Sequence, residues 1–155
     1  MPASPDLDDI SFLGRLSEAL SHRIEEQTRA LFDEAGIVVP VRSVSLLTAL
    51  GAAGEASAAD LARTLGQSHQ LIVQKLPALT RLGLIAERGD PDDARRKLFR
   101  LTGEGRGQLA ALDACRARIA QAYRGLSEEV GDVHGTIIAA LEALGARPLS
   151  ERIQT

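Results

Sequence analysis

The chain has 155 residues, roughly one domain's worth of sequence, with 3% aromatic residues and a net charge of −3. Abundant Ala, Leu, Arg and Glu favour an α-rich fold. The single cysteine, Cys115, excludes an intramolecular disulfide. No apolar run approaches the ~20 residues that span a bilayer. The acidic start Met1-Pro2-Ala3-Ser4-Pro5-Asp6 lacks the apolar region of a signal peptide. A cytoplasmic protein without a membrane partner is the expectation.

A first helix (α1) is predicted from about Pro5 to Ala35. Ser4-Pro5-Asp6 supplies a cap, a first-turn proline and an acid near the positive end of the helix dipole. Ile10, Leu13, Leu16, Leu20, Ile24, Leu31 and Phe32 recur at helical steps and form one apolar stripe. Gly36 closes it, and Val38-Val39-Pro40 is extended. A second, nearly all-apolar helix (α2) is predicted over about Val41–Leu50, ended by Gly51 and Gly54. Ser57-Ala58-Ala59-Asp60 is a capping box opening a short helix (α3) with Leu61, Ala62 and Leu65 inward and Gly66 at its end. Ser68 caps the next helix (α4), about His69–Leu82, which buries Ile72, Leu76 and Leu79 and stops at Gly83. Two short helices joined by Gly66-Gln67-Ser68 form a helix-turn-helix pattern. Pro77 lies inside α4 and costs it a backbone hydrogen bond, so a kink near Val73–Pro77, or a helix broken in two, is expected.

Leu84–Arg88 is a predicted strand, Gly89-Asp90-Pro91-Asp92-Asp93-Ala94 is turn chemistry, and Arg95–Leu101 is a second strand. A hairpin directly after a helix-turn-helix is a wing. Thr102 caps a long helix (α5), about Gly103–Leu126, with Leu109, Leu112, Ile119 and Tyr123 on its stripe. Ser127-Glu128-Glu129 caps a last helix (α6) carrying Val130, Ile137, Ile138, Leu141 and Leu144 and ending near Gly145 and Pro148. The fold class is therefore mainly α with a small β-hairpin wing, in the order α1-α2-α3-α4-β-wing-β-α5-α6. The terminal helices carry apolar stripes that the central module covers only in part. Pairing them with the same helices of a second chain is the economical solution, giving a homodimer.

The net acidity hides an uneven distribution. From Ser57 to Thr102 eight Lys/Arg face five Asp/Glu, a window of +3, so the rest of the chain carries −6. Other chemistry finds little support. His22, His69 and His134 lie on separate elements without zinc spacing, so neither metal nor cofactor is expected. Gly103-Glu104-Gly105-Arg106-Gly107 lacks the Gly-Lys-Ser/Thr ending of a phosphate loop. No constellation recommends an enzyme. Cys115 reads as a packed helical cysteine, with oxidant sensing as the alternative.

The run Ser57–Thr102 resembles the winged helix of the MarR family of transcriptional regulators. The matching pieces are Ala59-Asp60-Leu61-Ala62, Leu65-Gly66 and Leu79-Thr80-Arg81-Leu82-Gly83-Leu84-Ile85. Most specific is Gly89-Asp90-Pro91-Asp92-Asp93-Ala94-Arg95-Arg96-Lys97-Leu98-Phe99-Arg100-Leu101-Thr102, followed by Gly105-Arg106. There the family pattern is Asp-Pro-x-Asp-Arg-Arg and a strand ending Leu-Thr. The element order matches over essentially the whole chain, the residues mainly from Ser57 to Arg106.

The resemblance implies one MarR-type domain over 1–155, with 5–36 and 103–148 as dimerisation helices and 57–102 as the winged helix-turn-helix. It implies a homodimeric regulator of double-stranded DNA, a repressor rather than an activator, on a palindromic operator. Base contacts would come from Ser68, His69, Gln70, Val73 and Gln74, the glutamines being suited to adenine. Arg95 would enter the minor groove, oriented by Asp93, while Arg88, Arg96 and Lys97 would hold phosphates. A small aromatic or anionic effector would bind a crevice bordered by α1, α2 and α5. There Arg15, His22 and Arg42 either meet an anion or are ordinary surface residues, and no ligand residue is assigned. Three positions depart from the family: Ala94 for the first wing arginine, Gln74 for an arginine, and Pro77. With the apolar Leu71 and Val73, these favour the alternative: a winged-helix protein-interaction module that has lost sequence-specific DNA binding.

Overall fold

The reason the central elements form is local and visible. At Ser57 the hydroxyl accepts the Asp60 backbone N–H while the Asp60 carboxylate accepts the Ser57 N–H, a closed capping box that starts α3 (Ala58–Leu65). Gly66 ends α3 at φ +60°, a conformation L side chains rarely adopt. Three residues on, the Ser68 hydroxyl accepts the Leu71 N–H and starts α4 (His69–Arg81).

The computed structural model describes residues 9–93 and 95–153. They divide into two compact units, one reaching Cys115 and one starting at Arg116. The first unit opens with a 3-10 turn, Ile10–Phe12, capped by Asp9, and then α1 (Leu13–Glu34). The Ser4-Pro5-Asp6 start signal lies outside the described residues. Val41–Ser43 is a 3-10 turn, and α2 follows over Val44–Ala53. The expected stop at Gly51 is corrected: α2 runs past it and ends at Gly54. Gly51 faces inward instead, where an added Cβ would lie 2.5 Å from Leu109 Cδ2. Its absent side chain makes room for α5.

A three-stranded antiparallel sheet follows, in the order β1-β3-β2, with β1 Glu55–Ser57, β2 Ile85–Gly89 and β3 Lys97–Leu101. The hairpin was expected; β1 was not. It pairs Ala56 with Phe99 and Ser57 with Leu98 across β3. Phe99 and Leu101 face the core, as alternation along β3 requires.

The core of this unit is aliphatic. Leu46, Leu47 and Leu50 of α2, Leu61 of α3, Ile72 and Leu79 of α4, and Leu84 are fully buried. α5 (Gly103–Val130) adds Leu112 and Cys115 to the buried set, and Thr102 Oγ1 caps it by accepting the Gly105 N–H. Gln108 is the polar exception, and it is satisfied. Its carbonyl accepts the Val38 N–H at 2.8 Å and its amide donates to Gly36 O at 3.2 Å, fixing the extended segment after α1.

In the second unit α5 continues to Val130 and α6 spans Val133–Ala146. The expected cap at Ser127-Glu128-Glu129 is corrected. The chain turns instead at Gly131 (φ +94°), and the Asp132 carboxylate caps α6 through the Gly135 N–H. No residue of α6 is buried within the chain, and Ile137, Ile138, Leu141 and Leu144 stand exposed. Among the described residues no helix is long and apolar enough to cross a membrane.

Candidate nucleic-acid interface

α4 separates two faces cleanly. Ile72, Leu76 and Leu79 are buried. Gln70, Val73, Gln74, Pro77 and Arg81 recur at i, i+3, i+4, i+7 and i+11 and lie on the opposite, exposed face. The helix runs unbroken through Pro77. The expectation of a helix broken in two is therefore corrected. Pro77 is exposed on the outer face. Behind α4, Lys75 Nζ donates to Gln67 Oε1 at 2.9 Å and ties the helix to the preceding turn.

The wing tip is built from its own acids. Asp90 Oδ1 accepts the Asp92 N–H, the Asp90 N–H returns to Arg96 O, and Asp93 Oδ1 accepts the Arg95 N–H. Asp93 thus holds the Arg95 backbone; no contact to the Arg95 guanidinium is found. That guanidinium is exposed and makes no hydrogen bond or ion pair among the described residues. The other three wing cations are engaged. Arg88 grips Glu55 of β1 with both Nε (2.8 Å) and Nη2 (2.6 Å). Arg96 reaches Asp60 at 2.5 Å, Asp90 at 3.3 Å and the Ser57 hydroxyl at 3.3 Å. Lys97 pairs with Glu87 at 2.8 Å.

Asp60 is the hub that locks the wing to α3. Hydrogen bonds from the Ser57 hydroxyl and backbone, then the Arg96 guanidinium, bring its pKa down to about 2 from 3.8. The Arg88 fork likewise lowers Glu55. A carboxylate with a depressed folded-state pKa stabilises the fold above its unfolded pKa, and that contribution is lost as pH falls. For Asp60 the loss is expected between about pH 4 and 2. Thermal unfolding across that window should show wild type losing stability more steeply than Asp60→Asn, which starts lower and varies less. Parallel curves for the two would show that the network contributes nothing.

Between α4 and the wing lies a cleft of about 750 Å³. Val73, Pro77 and Arg81 form its helix side, Arg95 and Lys97 its wing side, and Ala58 its floor at the start of α3. Of the residues expected at the interface, Ser68 serves as the α4 cap, His69, Gln70, Val73 and Gln74 are exposed on α4, and Arg95 is exposed on the wing. The cleft draws together His69, Val73, Asp93, Arg95, Arg96 and Lys97. Arg88 is held apart at Glu55. Thr80, Arg81 and Pro77 were not foreseen on the cleft wall, although extending the Gln70/Gln74 spacing by one and two turns reaches Pro77 and Arg81. A second cavity of about 580 Å³ is lined by His22 and Arg42 with Glu25, Glu26 and Arg29. Arg15 is not part of it, and Arg42 is paired with Glu25 at 2.5 Å.

A two-helix unit with an exposed second helix, a hairpin beside it and a basic cleft between defines the winged-helix class. The model of the MarR family matches residues 39–96. A probable transcriptional regulator from Pseudomonas aeruginosa is 27% identical over 88% of this chain and 97% of that one, with a TM-score of 0.63. The fold is also that of the transcriptional repressor CouR bound to a 23-mer DNA duplex, at 24% identity, 95% and 99% coverage and a TM-score of 0.66. The same holds for the S. aureus MepR–DNA complex, at 23% identity, 88% and 98% coverage and a TM-score of 0.65. No curated protein matches the chain. Residues 39–96 thus match the MarR family model, and the fold is similar to that of a probable transcriptional regulator.

Proposed function

We propose that this chain is a homodimeric transcriptional repressor that binds a palindromic operator through α4 and the wing. The observation that carries the reading is the cleft, with Val73, Pro77 and Arg81 of α4 on one wall and the Arg95 wing tip on the other, Gln70 and Gln74 lying on α4 beside it. A DNA strand lying in it would place α4 in the major groove and Arg95 in the adjacent minor groove. Gln70, Val73 and Gln74 then face base edges, with Ser68 and His69 at the helix start. Arg96 and Lys97 flank the backbone, and Arg88 would have to leave Glu55 to join them.

The second copy is called for by α6, whose Ile137, Ile138, Leu141 and Leu144 are exposed. Two α4 helices about 34 Å apart would meet successive major grooves. A small aromatic or anionic effector would act by changing that spacing. The cavity at His22 and Arg42, which Arg23 and Arg29 also line, is the seat we propose for it.

Selection from a random duplex pool, followed by affinity against salt, tests this reading. An enriched palindrome with half-sites about ten base pairs apart, and affinity that falls with salt by about 0.9 log unit per log unit for each phosphate neutralised, is the expected result. A second reading, a protein-interaction module, is favoured by the exposure of Leu71 (39%) and Val73 (45%) on α4. It predicts no enrichment from the pool.

A further inference from the structure

We infer that the α4 face reads A·T pairs, with Val73 contacting the 5-methyl group of a thymine. The inference rests on the DNA-binding reading and adds what is recognised. Base edges in the major groove differ in a limited code: guanine is read by Arg or Lys, adenine by Asn or Gln, and thymine by apolar contact with its methyl. The outer face of α4 has no cation over its first two turns. Its two glutamines, Gln70 and Gln74, stand one turn apart with Val73 between them, and Pro77 continues the apolar line. The cations of α4 lie elsewhere. Lys75 is turned back to Gln67, and Arg81 is at the last position of the helix.

Val73 is also 45% exposed on a face where solvent gives an isopropyl group no advantage, and it lines the cleft that would take the strand. A thymine methyl is the one major-groove feature whose burial Val73 rewards. The glutamine amides on either side can pair with the N6 and N7 atoms of adenine on the facing strand.

The experiment compares the duplex recovered from the random pool with the same duplex in which half-site thymines are replaced by deoxyuracil. This removes the methyl and leaves every hydrogen-bonding group. Wild type is expected to bind the uracil duplex about fourfold more weakly per methyl lost, as one buried methyl-sized group requires. Val73→Ala, an exposed and helix-tolerant change, should bind both duplexes equally. A duplex that binds with a G·C-rich half-site, or one with no uracil penalty, overturns the inference while leaving DNA binding intact. A penalty equal in wild type and Val73→Ala overturns the assignment to Val73. Failure to recover any duplex overturns the inference together with the DNA-binding reading.

Discussion

Gly105→Ala is expected to lower the stability of the fold by about 2 kcal/mol or more. Overfilling a packed site costs about 1–3 kcal/mol, occasionally more. Here the obstacle is backbone: a Cβ on Gly105 would lie 1.9 Å from Leu84 O and 2.9 Å from Leu84 C. Leu84 is fully buried, and its carbonyl already accepts the Thr102 N–H at 3.0 Å. The Thr102 hydroxyl in turn donates to Gly83 O at 2.6 Å. Relief must therefore come from moving the start of α5 or the entry to β2, and either movement strains this junction. The gain of about 1 kcal/mol that alanine brings to a helix interior offsets only part of the cost. Gly107→Ala is the matched control. Gly107 is in the same helix, an added Cβ would meet nothing within 4 Å, and stability should rise by up to about 1 kcal/mol. Denaturant unfolding of both variants decides the matter. Equal stability for the pair would mean that α5 does not dock against Leu84.

Arg95→Ala is expected to weaken operator binding about a hundredfold while leaving the preferred major-groove half-site unchanged. Arg95 alone among Arg88, Arg95, Arg96 and Lys97 has no carboxylate partner among the described residues. Its charge is available without breaking anything. A charge-assisted contact contributes about 1.5 kcal/mol, roughly tenfold, and a dimer would carry two wings. Arg88→Ala should matter far less, since Arg88 is bound by Glu55 at 2.6 Å. Titration of both variants on one duplex separates them. Unchanged affinity in Arg95→Ala would remove the wing from the interface.

What the sequence displayed well was local. Ser57 with Asp60, Ser68, Gly66 and Gly83 punctuate α3 and α4 because caps and left-handed glycines act over three or four residues. The wing hairpin was legible for the same reason. β1 was not: three residues with one buried alanine, Ala56, have no periodicity, and the strand exists only through pairing with β3. The α5–α6 break was misplaced because Ser127-Glu128-Glu129 imitates a cap, whereas Gly131 and Asp132 perform the turn. The exposed face of α4 followed from helical spacing, while its assignment to DNA came from the resemblance. The partners of the wing cations did not. Arg88 meets Glu55 across 33 residues of sequence and Arg96 meets Asp60 across 36, distances no local pattern spans.

On the proposed reading, those pairs bear on how the protein would distribute itself along a chromosome. A wing with free cations clings to any phosphate backbone, and most of its copies are detained on irrelevant sequence. Here a phosphate must displace Asp60 from Arg96 or Glu87 from Lys97, exchanging one anion for another. On the proposed reading generic DNA would meet one wing cation unpaired among the described residues, Arg95, rather than four, and a site that also satisfies α4 would gain the more. On that reading, fewer copies would be held on irrelevant sequence.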